Sequence, residues 1–112
     1  MYHPNQPLSA SHSFSDISPE EGLAWVKRFA KHSSVSFTNP LTYPGYKYIP
    51  VSYLLCEEDV VIPPSIQRAE IEMIERESGN KVDVTSIKAG HVPIVSQPQK
   101  VVDWILKVVG SP

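Results

Sequence analysis

Only one cysteine, Cys56, stands in the 112-residue chain, which excludes an intramolecular disulfide and agrees with a reducing compartment. Long apolar runs are also missing. The longest, such as Val51 to Cys56, fall far short of the ~20 residues that a membrane-spanning helix needs. Basic residues are few and scattered, 10 against 12 acidic ones, for a net charge of −2 and a pI near 6. That leaves no electrostatic footprint for nucleic acid and no polybasic patch for a membrane surface. The opening residues Met1-Tyr2-His3-Pro4-Asn5-Gln6 lack the basic and then apolar stretches of a secretory signal, so the cytosol is the default expectation. His3, His12 and His32 have no partners at metal-ligand spacing, and a zinc site has little support. No cofactor is expected. What is present, 41% hydrophobic and 20% charged residues, suits a single soluble globular domain.

Residues 1–17 are rich in Ser, His, Pro and Asn without a sustained period, and read as a flexible N-terminal segment. Ser18-Pro19-Glu20-Glu21 signals a helix start: Ser18 as cap, Pro19 at the first helical position, Glu21 closing an S-x-x-E box. The spacing predicts a helix to about Lys31, with Trp25 and Phe29 four apart and Val26 and Ala30 alongside. Three prolines, a glycine and four aromatics between His32 and Pro50 predict an extended connection. Val51–Cys56 is a nearly continuous apolar run, as in a strand covered on both faces of a parallel sheet. A helix is expected from about Ser65, with Ile66, Ala69, Met73 and Ile74 on one side and Gly79 past its end. The alternation from Lys81 to Lys88 predicts a second strand. After Gly90-His91, Ser96-Gln97-Pro98-Gln99 reads as another capping box, opening a helix with Val101, Val102, Ile105, Val108 and Val109 that ends at Gly110. The result is an α/β arrangement, a βαβα unit over residues 50–112 behind a helix and connection over 18–49, with a right-handed crossover.

Two short segments concentrate the chemistry. Cys56-Glu57-Glu58-Asp59 follows the first strand and Ala89-Gly90-His91 the second. Crevices of open α/β sheets lie at that edge. Asp59 and His91 are 32 residues apart, about one βαβ unit, so the side chains can meet. A carboxylate accepting from one imidazole nitrogen fixes the tautomer and leaves the other nitrogen as a general base. An exposed loop acid and a turn-capping histidine would look the same in spacing alone. Glu57 and Glu58 compete with Asp59 as the acid. Cys56 could be a nucleophile, but a free cysteine in so apolar a run is more often a small core residue. Ser96 and Ser65 read as helix starts rather than nucleophiles.

The stretch from Val51 to Gln67, with Glu57-Glu58-Asp59, then Ile62-Pro63 and Gln67, resembles the acid-bearing strand and turn of α/β-hydrolases. It is most similar to lidded small-molecule esterases and to the hydroxynitrile-lyase and methyl-ester-esterase group. Ala89-Gly90-His91-Val92-Pro93-Ile94-Val95-Ser96-Gln97-Pro98 is similar to their C-terminal Gly-His turn. Ser36–Tyr43 and the helix before it are similar to the end of the lid in fungal members. The resemblance covers roughly residues 14–109, and implies descent of Asp59 and His91 from a triad acid and base. It favours Asp59 over its glutamate neighbours. Trp25 and Phe29 fit a lid helix facing a substrate, although an amphipathic core stripe explains them as well.

One departure is large. The family order is Ser, Asp, His, with the serine in a G-x-S-x-G elbow. Glycines 22, 45, 79, 90 and 110 include no two that lie four apart, so this sequence holds no elbow, and no His-Gly-Gly-Gly-type loop either. The resemblance therefore implies the C-terminal part of a hydrolase acting on small ester- or lactone-type carbonyl compounds, its nucleophile supplied elsewhere. Two other classes stay open: a serine-free acid–base enzyme such as a cyclase or isomerase using His91, and a non-catalytic remnant or interaction protein. In the complete fold the Val51–Cys56 strand is internal, so a bared edge is expected to drive self-association or to be covered by a partner polypeptide.

Overall fold

The computed structural model describes residues 5–110. Two parallel strands, β1 (Ser52–Cys56) and β2 (Asp83–Ile87), form its sheet, in register Ser52 to Asp83 through Cys56 to Ile87. Between them runs the crossover helix, here α3 (Pro64–Ser78), which stops at Gly79 with φ of 75°. Only a residue without a Cβ takes that left-handed value readily. The short helix α4 (Pro93–Ser96) and then α5 (Pro98–Val108) follow β2. This is the βαβα order expected.

The β–α–β core closes on Leu55, Ile71 and Val82, with Val51, Tyr53 and Ile74 packed around them. Leu55 is wholly shielded from solvent. The stripe of α3 that faces the core is Gln67, Ile71 and the half-buried Ile74; of the expected face Ile74 does pack there, Met73 is half-buried, and Ile66 and Ala69 are exposed. A glutamine at the key position masks the stripe: it is polar, yet 3% exposed.

The N-terminal region departs from expectation. Residues 6–13 are not a loop but a helix, α1 (Gln6–Ser13). Asn5 caps it by accepting the Leu8 amide at 3.0 Å, and Pro7 sits in its first turn. His3, among the candidates above, lies outside the described residues. Helix α2 (Pro19–Val26) begins as read, the Ser18 hydroxyl accepting the Glu21 amide at 3.2 Å. It ends at Val26, short of Lys31. There the amides of Arg28 and Phe29 bond back three residues, to Trp25 and Val26, and the Phe29 ring lies 5.8 Å from that of Phe14. Packing against Phe14 prevails over helical continuation. Ala10, Phe14 and Val26 form the core of this hairpin, and Gly22 lets the helices approach, since a Cβ there would lie 3.2 Å from that of Phe14. The connection over 32–50 is irregular apart from two 3₁₀ turns, Val35–Phe37 and Gly45–Lys47.

Helix α5 buries Val101, while Val102, Ile105, Leu106 and Val108, and Val109 just past its end, stay exposed. Val84 of β2 is exposed too. Among the described residues β1 pairs on one side only. Apolar side chains that a complete sheet would cover therefore face outward.

Candidate active site

Parallel pairing continues beyond the strands. The Glu57 amide donates to the Ile87 carbonyl at 2.9 Å and that of Glu58 to Ala89 at 3.0 Å. The two strand ends are thereby zipped together up to the residues that matter. Just beyond the zip, His91 Nδ1 lies 3.0 Å from Asp59 Oδ2.

Asp59 is held before it meets the imidazole. Its Oδ1 accepts the amides of Val61 and Ile62 at 2.8 and 2.9 Å, a local Asx-type turn, and the side chain is 7% exposed. Oδ2 is thus left pointing at one partner. With the carboxylate accepting, the proton of a neutral imidazole sits on Nδ1, and Nε2 is left with its lone pair. An acid and an imidazole in this arrangement have the geometry that an orienting acid–base pair requires.

Gln67 fixes the loop between strand and helix. Its side chain amide donates to the carbonyls of Cys56 and Ile62 at 2.9 and 2.8 Å, and its carbonyl accepts the Cys56 amide at 3.0 Å. A buried side chain thus satisfies three backbone groups at the point where the chain leaves β1. Gln67 belongs to the resemblance, but this role is not legible there. The signal in the sequence is a polar residue four and seven positions before two isoleucines: Gln67, Ile71 and Ile74 share one helix face.

Around the pair lies an open cleft of about 380 Å³, lined by Tyr53, Leu54, Ile62, Pro93 and Trp104 together with Asp59 and His91. Its lining mixes apolar walls with polar groups, Ser52 and Gln67 among them, as small-molecule sites do. The Trp104 Nε1–H is buried with no acceptor among the described residues. Tyr53 points its hydroxyl to Glu70 at 3.0 Å. Burial, and then that bond to a carboxylate, push its pKa up to about 12.

The competing candidates separate cleanly. Glu57 and Glu58 are exposed, and their backbone amides rather than their carboxylates join the strand ends. Cys56 is buried; burial foremost, then the negative charges of Asp59 and Asp16, push its thiol up. A thiol so placed is a poor nucleophile. His32 is exposed and bonds within its own turn, to the Ser33 carbonyl at 2.9 Å. Ser65 is exposed, and so is His12 in the last turn of α1. Trp25 and Phe29 are exposed on the hairpin, outside the cleft lining. Ser96 does not cap α5, whose N-cap is Gln97 without a side-chain bond. Its hydroxyl donates instead to Asp16 Oδ2, an acceptor 80 residues away that outcompetes the local amide.

Similarity to known proteins agrees with this geometry. The sequence profile described as "Alpha/beta hydrolase family" matches residues 2–104. The chain is 38% identical over 96 residues to "Probable hydrolase R7" of a Phoma species, covering 86% of this chain and 39% of that protein. It is 28% identical over 86 residues to "Alpha/beta hydrolase nvfD" of Aspergillus novofumigatus, covering 77% and 33%. To the "Pyrethroid hydrolase" of Sphingobium wenxiniae it is 31% identical over 96 residues, covering 84% and 33%. The chain thus spans 33–39% of the length of these curated relatives. None of its helices among the described residues is long and apolar enough to cross a membrane. With a profile match over nearly its whole length and an acid and a histidine paired past the ends of adjacent parallel strands, the chain belongs to the alpha/beta hydrolase family.

Proposed function

We propose that this chain supplies the acid–base half of a hydrolase active site, acting on small ester- or lactone-type carbonyl compounds, with the nucleophilic serine coming from a segment outside these 112 residues. The observation that supports it is the 3.0 Å contact between Asp59 Oδ2 and His91 Nδ1, with the other carboxylate oxygen already committed to two amides. In this reading His91 Nε2 accepts the serine proton as the oxygen attacks the carbonyl carbon. It then returns that proton to the departing alcohol oxygen. Water repeats the cycle on the acyl-serine, and Asp59 stabilises the transient imidazolium throughout. The apolar cleft walls suit the non-reacting part of such a substrate, and hydrolase relatives, one of them named for pyrethroids, favour the class. The open side of β1 and the uncovered side of α5 are where the elbow-bearing segment, or a second copy of the chain, would pack.

A chimera tests this directly. This chain replaces the corresponding C-terminal part of a family relative that carries G-x-S-x-G. The expected outcome is hydrolysis of p-nitrophenyl esters and labelling by a fluorophosphonate, with turnover lost by at least about 10³-fold in His91→Ala. The 112-residue chain alone is expected to show neither. Ester turnover by the chain alone, or a chimera indifferent to His91→Ala, would contradict the proposal.

A further inference from the structure

Asp16 sits in the turn between α1 and α2, 75 residues before His91, in a stretch whose composition suggests nothing. Its Oδ2 accepts the Gly90 amide at 2.8 Å and the Ser96 hydroxyl at 2.5 Å. Those two donors bracket His91: one lies immediately before it, the other at the end of α4. Val92 and Val95, between the same two points, pack against the hairpin core of Ala10, Phe14 and Val26. The histidine segment is therefore fastened to the hairpin by a carboxylate and by an apolar contact on the same side. Meanwhile the sheet holds only the residue before Gly90, through the Ala89 carbonyl.

Gly90 shows how tightly the carboxylate is seated. A Cβ at that position would lie 2.8 Å from Asp16 Oδ1 and 3.0 Å from its Cγ. Gly90 is buried and has no unusual φ, so close approach, not backbone conformation, requires glycine here. A buried amide and a hydroxyl aimed at one carboxylate oxygen form charge-assisted bonds, which fix direction more firmly than neutral ones.

We infer that Asp16 is a positioning residue for His91: its carboxylate clamps Gly90 and Ser96 and so sets the imidazole in line with Asp59, coupling the α1–α2 hairpin to the acid–base pair. The inference rests on the Asp59–His91 reading above. It makes the hairpin part of the site's alignment rather than a cover alone, so movement of the hairpin would loosen the histidine.

The test is NMR of the whole chain with ¹⁵N-labelled histidine, following the His91 Nδ1–H signal and the exchange rate of the Gly90 amide. In Asp16→Ala the Gly90 amide is expected to exchange at least about 10-fold faster and the His91 Nδ1–H signal to broaden or vanish, while the amides of β1 keep their protection. Asp16→Asn, which retains an acceptor for Gly90 and a polar group for Ser96, is expected to restore both signals. Wild-type behaviour of Gly90 and His91 in a folded Asp16→Ala would overturn the inference. Should Asp16→Ala not fold, Gly90→Ala is read in its place. Its Cβ must displace the Asp16 carboxylate, and an undisturbed His91 signal there would overturn the inference equally. If the wild type itself shows no Nδ1–H, the Asp59–His91 reading fails. If it does and Asp16→Ala keeps it, the clamp alone fails.

Discussion

Among the described residues, two small cores hold the acid and the histidine in different ways. The β–α–β core around Leu55 holds Asp59 chiefly through backbone: strand register, amides to Oδ1, and strand-end groups that the Gln67 side chain bonds. The hairpin core around Phe14 holds the His91 segment through side chains, Asp16 and the packing of Val92 and Val95. A backbone scaffold fixes position through many cooperative bonds. A side-chain clamp depends on one carboxylate and a few apolar contacts. The acid should therefore be the rigid partner of the pair and the histidine the one that can be displaced.

Removing the centre of each core is the strongest way to break that comparison. Leu55→Ala empties a fully buried site and is expected to cost about 2–5 kcal/mol, lowering protection across β1, α3 and β2 together. Phe14→Ala removes more side chain from a core that is as well buried. Its expected effect is local: α1 and α2 amides exchange faster while those of β1 do not. Hydrogen exchange followed by NMR or mass spectrometry checks both. Equal loss of protection everywhere in Phe14→Ala would merge the two cores into one.

The same contrast explains what was legible in the sequence. Val51–Cys56 is apolar, short and ended by acids, and Asp59 and His91 fall where strands stop, so the α/β order and the candidate pair could be read from period and position. Helix α1 could not. Its one buried residue is Ala10, Leu8 is exposed, and its stability comes from packing on α2. No local pattern announces that. Asp16 acts on residues 74 and 80 positions away, which no local spacing reveals. Gln67 was hidden by being polar on a buried stripe, and Ser96 looked like a cap because its true acceptor is distant.

A smaller effect separates the backbone side of the comparison further. Gln67→Ala leaves the Cys56 amide and the Cys56 and Ile62 carbonyls without their partner. A loss of about 1–3 kcal/mol is expected, read from denaturant unfolding, with a shifted His91 resonance because the Asp59 loop relaxes. An unchanged midpoint would mean that water replaces the side chain at no cost.

The smallest expected effect concerns pH. Tyr53 is held neutral in the folded chain up to about 12, against 10 in its ordinary state. A raised folded pKa gives stability that is complete below pH 10 and is lost as pH climbs from 10 to 12, because the unfolded chain releases its proton first. The group is only partly buried, so screening keeps the effect modest. Tyr53→Phe should flatten that part of an alkaline unfolding profile. A profile with the same slope in both proteins would assign the alkaline loss to other groups.

The central claim is that Asp59, seated by backbone, dictates where the proton of His91 lies, and the tautomer of His91 measures this most directly. Long-range ¹H–¹⁵N correlation on the neutral imidazole should find the proton on Nδ1 in the wild type, where Asp59 Oδ2 accepts it. Asp59→Asn keeps an acceptor for the Val61 and Ile62 amides but turns a donor toward His91, and should move the proton to Nε2. Glu57→Gln, altered at an exposed side chain beside it, should leave the proton on Nδ1. A wild-type histidine already protonated on Nε2, or one whose tautomer ignores Asp59→Asn, would contradict the account.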